Sequence, residues 1–289
     1  MTWEVPPKGI KLLAPAKVNL TLEILRKRPD GYHELRSLMQ PISLFDTLWI
    51  EPGSDKPKLI CPEHPELENE NNLILKTLVL LEKELGEPLN ITIRLKKRIP
   101  MGGGLGGGSS DAAALLDGLN DLFGRPVSRF RLAEMASRLG SDVPFFLIKG
   151  PALATGRGEI LQPQPHIPSW WIILVYPGFP VSTAWAYGQV KFPLTQKKKP
   201  YNILGLTYRG NPVEGLEDLY NDLEPFVVSS FPLLGTIKKT LLDFGCQQAL
   251  MSGSGSSVFG IWEDKLQAGK AFRQLKKQNL GQVFLVKGL

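Results

Sequence analysis

The stretch MGGGLGGGSSDAAALLDGLN, residues 101–120, has glycine at six of its first eight positions and then runs on as a helix-forming segment. Glycine costs backbone entropy on folding and adds no packed side chain. Such density is therefore kept where main chain must turn tightly or be approached closely. Residues 91–95, Ile-Thr-Ile-Arg-Leu, alternate apolar and polar like a half-buried strand, and Pro100 ends that run. A helical stretch over residues 110–122 follows, giving the order strand, glycine loop, helix. Loop amides and the exposed N–H groups that open a helix together make a cradle for an anion, and a phosphate is the natural occupant.

Three familiar phosphate-binding devices can be tested against the residues. A P-loop needs Gly-Lys-Ser/Thr after its glycines, whereas this loop ends Gly108-Ser109-Ser110-Asp111. Gly102, Gly104 and Gly107 satisfy G-x-G-x-x-G. The acid that should end a second strand about 20 residues later falls near another helix instead, which argues against a dinucleotide fold. Asp243-Phe244-Gly245 occurs without a preceding His-Arg-Asp or a following Ala-Pro-Glu, so it is no protein-kinase signature. What survives is a glycine loop whose amides can face a triphosphate. Ser109 and Ser110 are expected to cap the helix, or one hydroxyl to face phosphate or magnesium. The plain alternative is a capped loop that binds nothing.

The rest of the chain sets the frame. With 289 residues and 43% hydrophobic content it can bury a substantial core, divided here into domains over 1–160 and 161–289. There are 34 Lys+Arg against 28 Asp+Glu, a formal net charge of +6, scattered apart from clusters at 96–98 and 197–199. That balance suits an anionic small substrate or a nucleic acid and selects neither. Cys61 and Cys246 lie far apart, and only Cys61 has a nearby possible partner, His64, so neither a disulfide framework nor zinc is expected and a reducing cytoplasm fits. The longest apolar run, residues 170–176, is too short to cross a bilayer, and the first residues lack a signal peptide's pattern.

Periodicity predicts a strand over 11–25, a turn at 28–31, a strand over 43–51 and a surface connection over 52–72 that ends in an Asn cap. Helices follow over 73–85 and 128–140, then a Gly- and Pro-bearing boundary segment over 150–164. The second half offers a strand at 170–176, a helix at 231–245, and a hairpin over 251–261 whose serine–glycine patch, 252–257, is expected to be a loose loop. A helix at 264–277 and a strand at 283–286 complete it. That order suggests a compact α+β sandwich.

Two further segments combine with the glycine loop. Ala14-Pro15-Ala16-Lys17-Val18-Asn19-Leu20 puts a lysine and an asparagine in an apolar strand, and Gly140-Ser141-Asp142-Val143-Pro144-Phe145-Phe146 puts an acid at a loop or helix start. Alone, Lys17 would snorkel to water and Asp142 would be an N-cap. Together the three segments resemble the three-motif signature of the GHMP kinases, over nearly the whole chain. Pro-Asp-Gly-Tyr-His-Glu-Leu at 29–35 resembles the branch acting on a cytidylyl alcohol, and the segments around Asn71-Asn72 and 251–255 fit it too.

The resemblance implies an α+β fold. Its N-terminal domain would be like the second domain of ribosomal protein S5, its C-terminal domain would be ferredoxin-like, and the active site would lie between them. It implies ATP-dependent phosphorylation of the 2-hydroxyl of diphosphocytidyl-methylerythritol, in the non-mevalonate route to isoprenoid precursors. Asp142 would orient the hydroxyl and accept its proton, and Lys17 would keep Asp142 ionised and balance phosphoryl charge, while Asn19 would bond near the reacting oxygen. ATP would lie on Pro100, Met101, Gly102, Gly103, Gly104, Leu105, Gly106, Gly107, Gly108, Ser109 and Ser110. Magnesium is expected with ATP, and no constellation declares its protein ligands. Tyr32 and His33 would recognise cytosine, and Tyr187 would face the other side of the ring. The competing readings are a GHMP kinase for mevalonate or homoserine, or an RNA-binding module of the same fold. Residues 29–33 speak against the first, and intact Lys17, Asp142 and glycine loop against the second. No membrane or nucleic-acid partner is expected.

Overall fold

The computed structural model describes residues 5–53, 56–190 and 216–289; the lysine cluster at 197–199 lies outside them. Contacts cluster into two compact units interleaved along the chain. One comprises Met1–Ala16, Leu44–Ile99 and Gly106–Lys149, the other Lys17–Ser43, Pro100–Leu105 and Gly150–Leu289. Strands β1 (Ile10–Asn19) and β3 (His33–Pro52) contribute residues to both.

In the first unit the second half of β3 pairs antiparallel with β5 (Ile91–Lys96), Leu48 opposite Leu95 and Ile50 opposite Ile93. The short β4 (Lys58–Ile60) adds a parallel strand on β5. Ile91, Ile93 and Leu95 are buried while Arg94 and Lys96 are exposed, which is the alternation expected of a sheet with one covered face. Helices α1 (Leu73–Leu85), α2 (Gly107–Leu122), α3 (Arg129–Leu139) and α4 (Val143–Ile148) pack on one another. Ile74, Leu78 and Leu81 of α1 and Leu115, Leu116 and Leu119 of α2 are fully buried, the i, i+3/i+4 stripes that such packing requires. Asn72 and Ser128 cap α1 and α3, their side chains accepting from Ile74 N and Arg131 N.

In the second unit β2 (Glu23–Lys27) and β6 (Ala152–Gly156) both pair antiparallel with the first half of β3, and β7 (Ile160–Pro163) pairs with β6. A separate four-stranded antiparallel sheet is built from β8 (Trp171–Tyr176), β9 (Gln248–Met251), β10 (Val258–Trp262) and β11 (Gln282–Lys287), in the order β11-β8-β10-β9. With α7 (Pro232–Asp243) before β9 and α8 (Lys265–Leu275) before β11, this is the split βαβ arrangement of a ferredoxin-like sandwich. Its core joins Ile173, Val175, Ile237, Leu241, Trp262 and Ala271. Helices α5 (Thr183–Gly188) and α6 (Glu224–Ser230) complete the unit.

Several boundaries differ from those the sequence suggests. The run 11–25 is two strands, β1 and β2. The segment 52–72 holds β4 and a 3₁₀ turn at Pro65–Leu67, and the boundary segment 150–164 is the hairpin β6–β7. The strand predicted over 43–51 begins at His33. Residues 37–42 of β3 are buried without interruption, so no two-residue alternation marks them.

Candidate active site

In the second unit the glycine loop is shaped by what presses on it. Gly102 and Gly104 sit at φ +67° and +77°, left-handed conformations that a Cβ opposes. A Cβ on Gly102 would stand 2.4 Å from Pro180 Cβ, and one on Gly104 2.1 Å from the carbonyl oxygen of Ser252. The turn at 252–257 is therefore not a loose loop. Ser252, Ser256 and Ser257 are fully buried, Ser257 N–H donates to Gly103 O (3.1 Å), and Ser252 Oγ donates to Gly104 O (3.0 Å). The turn has to be rich in serine and glycine because it packs against main chain.

Lys17 lies in the same unit and does not snorkel: the residue is 4% exposed. Its ammonium donates to Asn19 Oδ1 (2.6 Å) and Gly104 O (3.0 Å). Burying an ammonium is costly unless its hydrogen bonds are met, so these acceptors fix where the charge sits. Asn19 in turn donates through Nδ2 to Ser37 Oγ (2.7 Å), and Ser37 Oγ donates to Thr21 O (2.6 Å). The donors thus run from Lys17 through Asn19 and Ser37 to Thr21 O, and a second bond from the same ammonium reaches the carbonyl of a glycine-loop residue. Sequence reasoning missed Asn221, which supports the turn. Its Nδ2 donates to Met251 O (2.8 Å) and Gly253 O (2.7 Å), and its Oδ1 accepts from Leu223 N–H (2.9 Å). One asparagine ahead of a short helix carries no signal that would single it out.

In the first unit α2 begins at Gly107, three residues earlier than predicted, with Gly106 at φ +71° as its N-cap and no side-chain cap. Ser109 and Ser110 are therefore its third and fourth residues rather than caps. Glycine at 106 can take the left-handed cap conformation unaided, so the helix opens with bare amides at 107–109. Ser110 N–H bonds to Gly106 O (2.9 Å), and Ser110 Oγ is buried without a hydrogen-bond partner. Asp142 stands at the N-cap of α4, in an α conformation with no side-chain cap bond. Capping is therefore not what its carboxylate does. Cys61 and Cys246 are both buried free thiols.

The turn 28–31 presents Tyr32, which is 55% exposed. Asp30 Oδ1 accepts from its N–H (3.1 Å), and the Arg157 guanidinium stands 4.9 Å from its ring centroid. His33 instead stacks on Tyr187 of α5, with centroids 5.2 Å apart and planes at 28°. That spacing leaves no room for a third ring between them. Burial, and then the charge of Lys27, holds the His33 imidazole below its ordinary value, which favours the neutral ring.

The chain matches two family descriptions, GHMP kinases N terminal domain over residues 72–150 and GHMP kinases C terminal over residues 204–280. Its class is thereby that of the GHMP kinases. A relative from Geobacter sp. (strain M21), a 4-diphosphocytidyl-2-C-methyl-D-erythritol kinase, is 42% identical over 276 residues, spanning 93% of this chain and 95% of the relative. One from Syntrophus aciditrophicus (strain SB) with the same name is 41% identical over 280 residues, 97% and 99% of the two chains. A crystal structure of 4-(cytidine 5'-diphospho)-2C-methyl-D-erythritol kinase superposes with TM-score 0.83 at 35% identity, covering 96% of this chain and 99% of that one. The chain belongs to the 4-diphosphocytidyl-2-C-methyl-D-erythritol kinase family. No helix among the described residues is long and apolar enough to cross a membrane.

Proposed function

We propose that this chain transfers the γ-phosphoryl group of ATP to the 2-hydroxyl of 4-diphosphocytidyl-2-C-methyl-D-erythritol, in the cytoplasm, as a step toward isoprenoid precursors. The observation that carries the reading is the buried Lys17 ammonium, held by Asn19 and by a carbonyl of the glycine loop. A positive charge built into a phosphate loop suits a reaction that needs positioning and charge neutralisation more than covalent help. The amides at 107–109 take the triphosphate. Asp142 accepts the hydroxyl proton as the alkoxide oxygen bonds to the γ-phosphorus. The bond from that phosphorus to the bridging oxygen breaks, and ADP leaves with the electron pair. Lys17 balances the charge on the transferred group, and Asn19 holds the hydroxyl region.

Magnesium bound with ATP would neutralise phosphate charge. Among the described residues no group of three or more His, Cys, Asp or Glu could hold a metal ion. Ser110 Oγ, buried near the start of α2 without a hydrogen-bond partner, would be one side-chain oxygen able to face the ion, with phosphate oxygens supplying others. Neutral His33 donates a ring N–H to cytosine N3, an acceptor in cytosine and a protonated donor in uracil. Tyr32 supplies an exposed stacking face, and Tyr187 backs the imidazole. Coupled measurement of ADP release tests the proposal with the diphosphocytidyl alcohol, mevalonate and homoserine in turn. Turnover confined to the first is expected. Equal or better turnover with either other alcohol would overturn the substrate assignment.

A further inference from the structure

The first unit buries a three-charge cluster to which the proposed chemistry assigns no role. Lys97, just past the end of β5, places its ammonium between Asp46 of β3 and Asp111 of α2, 2.8 Å from Asp111 Oδ2. All three side chains are almost fully buried. Asp46 also accepts from the N–H groups of Arg98 (2.6 Å) and Ile99 (2.9 Å), so its carboxylate holds the chain leaving β5 as well as the ammonium. The amino end of α2 lies directly on this assembly. A Cβ on Gly107 would stand 3.0 Å from Ile99 Cγ2 and 3.2 Å from Lys97 Nζ. Asp111 lies four residues after Gly107, about one helical turn on.

Two carboxylates face one ammonium: burial, and then the neighbouring Asp46, push the Asp111 carboxyl up to about 7 against the pull of Lys97, and Asp111 Oδ1 has no hydrogen-bond partner. Fold stability does not call for such an arrangement, since buried ion pairs are often replaced by apolar groups without loss. What it does supply is geometry. The ammonium ties the strand exit to the helix at one fixed distance, and the helix start is the part that no side-chain cap holds.

We propose that Lys97 is a positioning residue for the phosphoryl transfer. Clamped between Asp46 and Asp111, it sets the depth and direction of the first turn of α2, and so the aim of the amides at 107–109 toward the triphosphate. This rests on the reading that those amides receive ATP. The clamp acts through the helix, so its loss shifts ATP affinity while the cytidylyl alcohol, bound by other residues, is unaffected.

The test compares Lys97→Met, Lys97→Arg and the double variant Lys97→Met/Asp111→Asn, which removes the ammonium together with one of the two carboxyl groups it faces. Calorimetry with ATP and, separately, with the diphosphocytidyl alcohol is combined with KM and kcat for both. Lys97→Met and the double variant are expected to weaken ATP binding about 10- to 100-fold, the scale of an ångström-size misplacement. Affinity for the alcohol should stay within about twofold, and Lys97→Arg should recover most of the loss. A folded double variant with unchanged ATP affinity, or one losing both ligands equally, overturns the proposal. Gly108→Ala separates the underlying reading. If it leaves ATP affinity intact while the Lys97 variants lower it, the amides are not the receptor, and the clamp as stated falls with them.

Discussion

Alanine at Gly108 and alanine at Gly104 are expected to act in opposite directions on stability, although both lie in the same glycine-rich stretch. Gly108 is the second residue of α2, has no positive φ, and a Cβ there would meet nothing within 4 Å. Glycine in a helix is disfavoured against alanine by roughly 0.5–1 kcal/mol, so the substitution should stabilise by about that amount. At ~2–4 °C per kcal/mol for a chain of this size, Tm should rise by roughly 1–4 °C. The same methyl group projects where a phosphate oxygen would approach the helix amides. Loss of one hydrogen bond to a charged group is about 1.5–3 kcal/mol, or roughly 10- to 150-fold in KM for ATP. Gly104→Ala meets a left-handed φ costing ~1–2 kcal/mol and an overlap with Ser252 O at 2.1 Å, for which overpacking adds ~1–3 kcal/mol. It should lower Tm and weaken both ligands together. Differential scanning calorimetry and an ADP-release assay read both quantities. A Gly108→Ala protein with raised Tm and KM for ATP within twofold of the parent would falsify the phosphate reading, because stability could not be blamed.

Asp142→Asn, at a position where asparagine serves an N-cap about as well as aspartate, should keep the fold and lower kcat roughly 10²–10⁴-fold; near-normal turnover would remove it as the base. Burial, and then Lys27, hold the folded pKa of His33 below the ordinary imidazole value of about 6.5, so the neutral ring predominates above that pH and is lost as pH falls through the folded pKa. KM for the cytidylyl substrate should be flat above pH ~6.5 and rise below it. His33→Ala should abolish that rise and narrow the cytidylyl-over-uridylyl ratio of kcat/KM; an unchanged ratio moves base reading to another group. Asn221→Ala deletes three buried hydrogen bonds and should cost about 2–4 kcal/mol by chemical denaturation, whereas a loss under ~1 kcal/mol would mean that the 252–257 turn holds itself.

Helix α1 was legible to the residue because its apolar stripe is regular and Asn72 caps it in the ordinary way. The helices of the C-terminal half were legible for the same reason, whereas its strands β8 and β10, buried along most or all of their length, were legible only as short apolar runs between turn residues. Legibility failed where both faces are dry. The burial of residues 37–42 hid the first half of β3, and the buried serines of 252–257 looked like a flexible loop because small polar residues serve both purposes. Lys97 sat in a basic triplet that the sequence marks only as a charge cluster. Only the tertiary positions of Asp46 and Asp111 distinguish it from Lys96, which is exposed. At the site, Lys17 and Asn19 were two residues apart in sequence and meet, as strand spacing allows. The contacts of the glycine loop with Pro180 and Ser252 span distances that no local pattern encodes.

The bond from Ser252 to Gly104 spans 148 residues, and it gives the glycine loop a history as well as a shape. Until the β9–β10 hairpin exists, Gly103 O and Gly104 O lack the Ser257 and Ser252 donors that bond them, and nothing at residue 252 presses on the left-handed Gly104. On the ribosome, at about 5–20 residues per second, the loop emerges many seconds before its partner. Nucleotide affinity should therefore be a late acquisition in the life of the nascent chain, arriving only with its last strands. A fragment ending before residue 250 should carry every residue of the ATP motif and lack the contacts that shape Gly103 and Gly104.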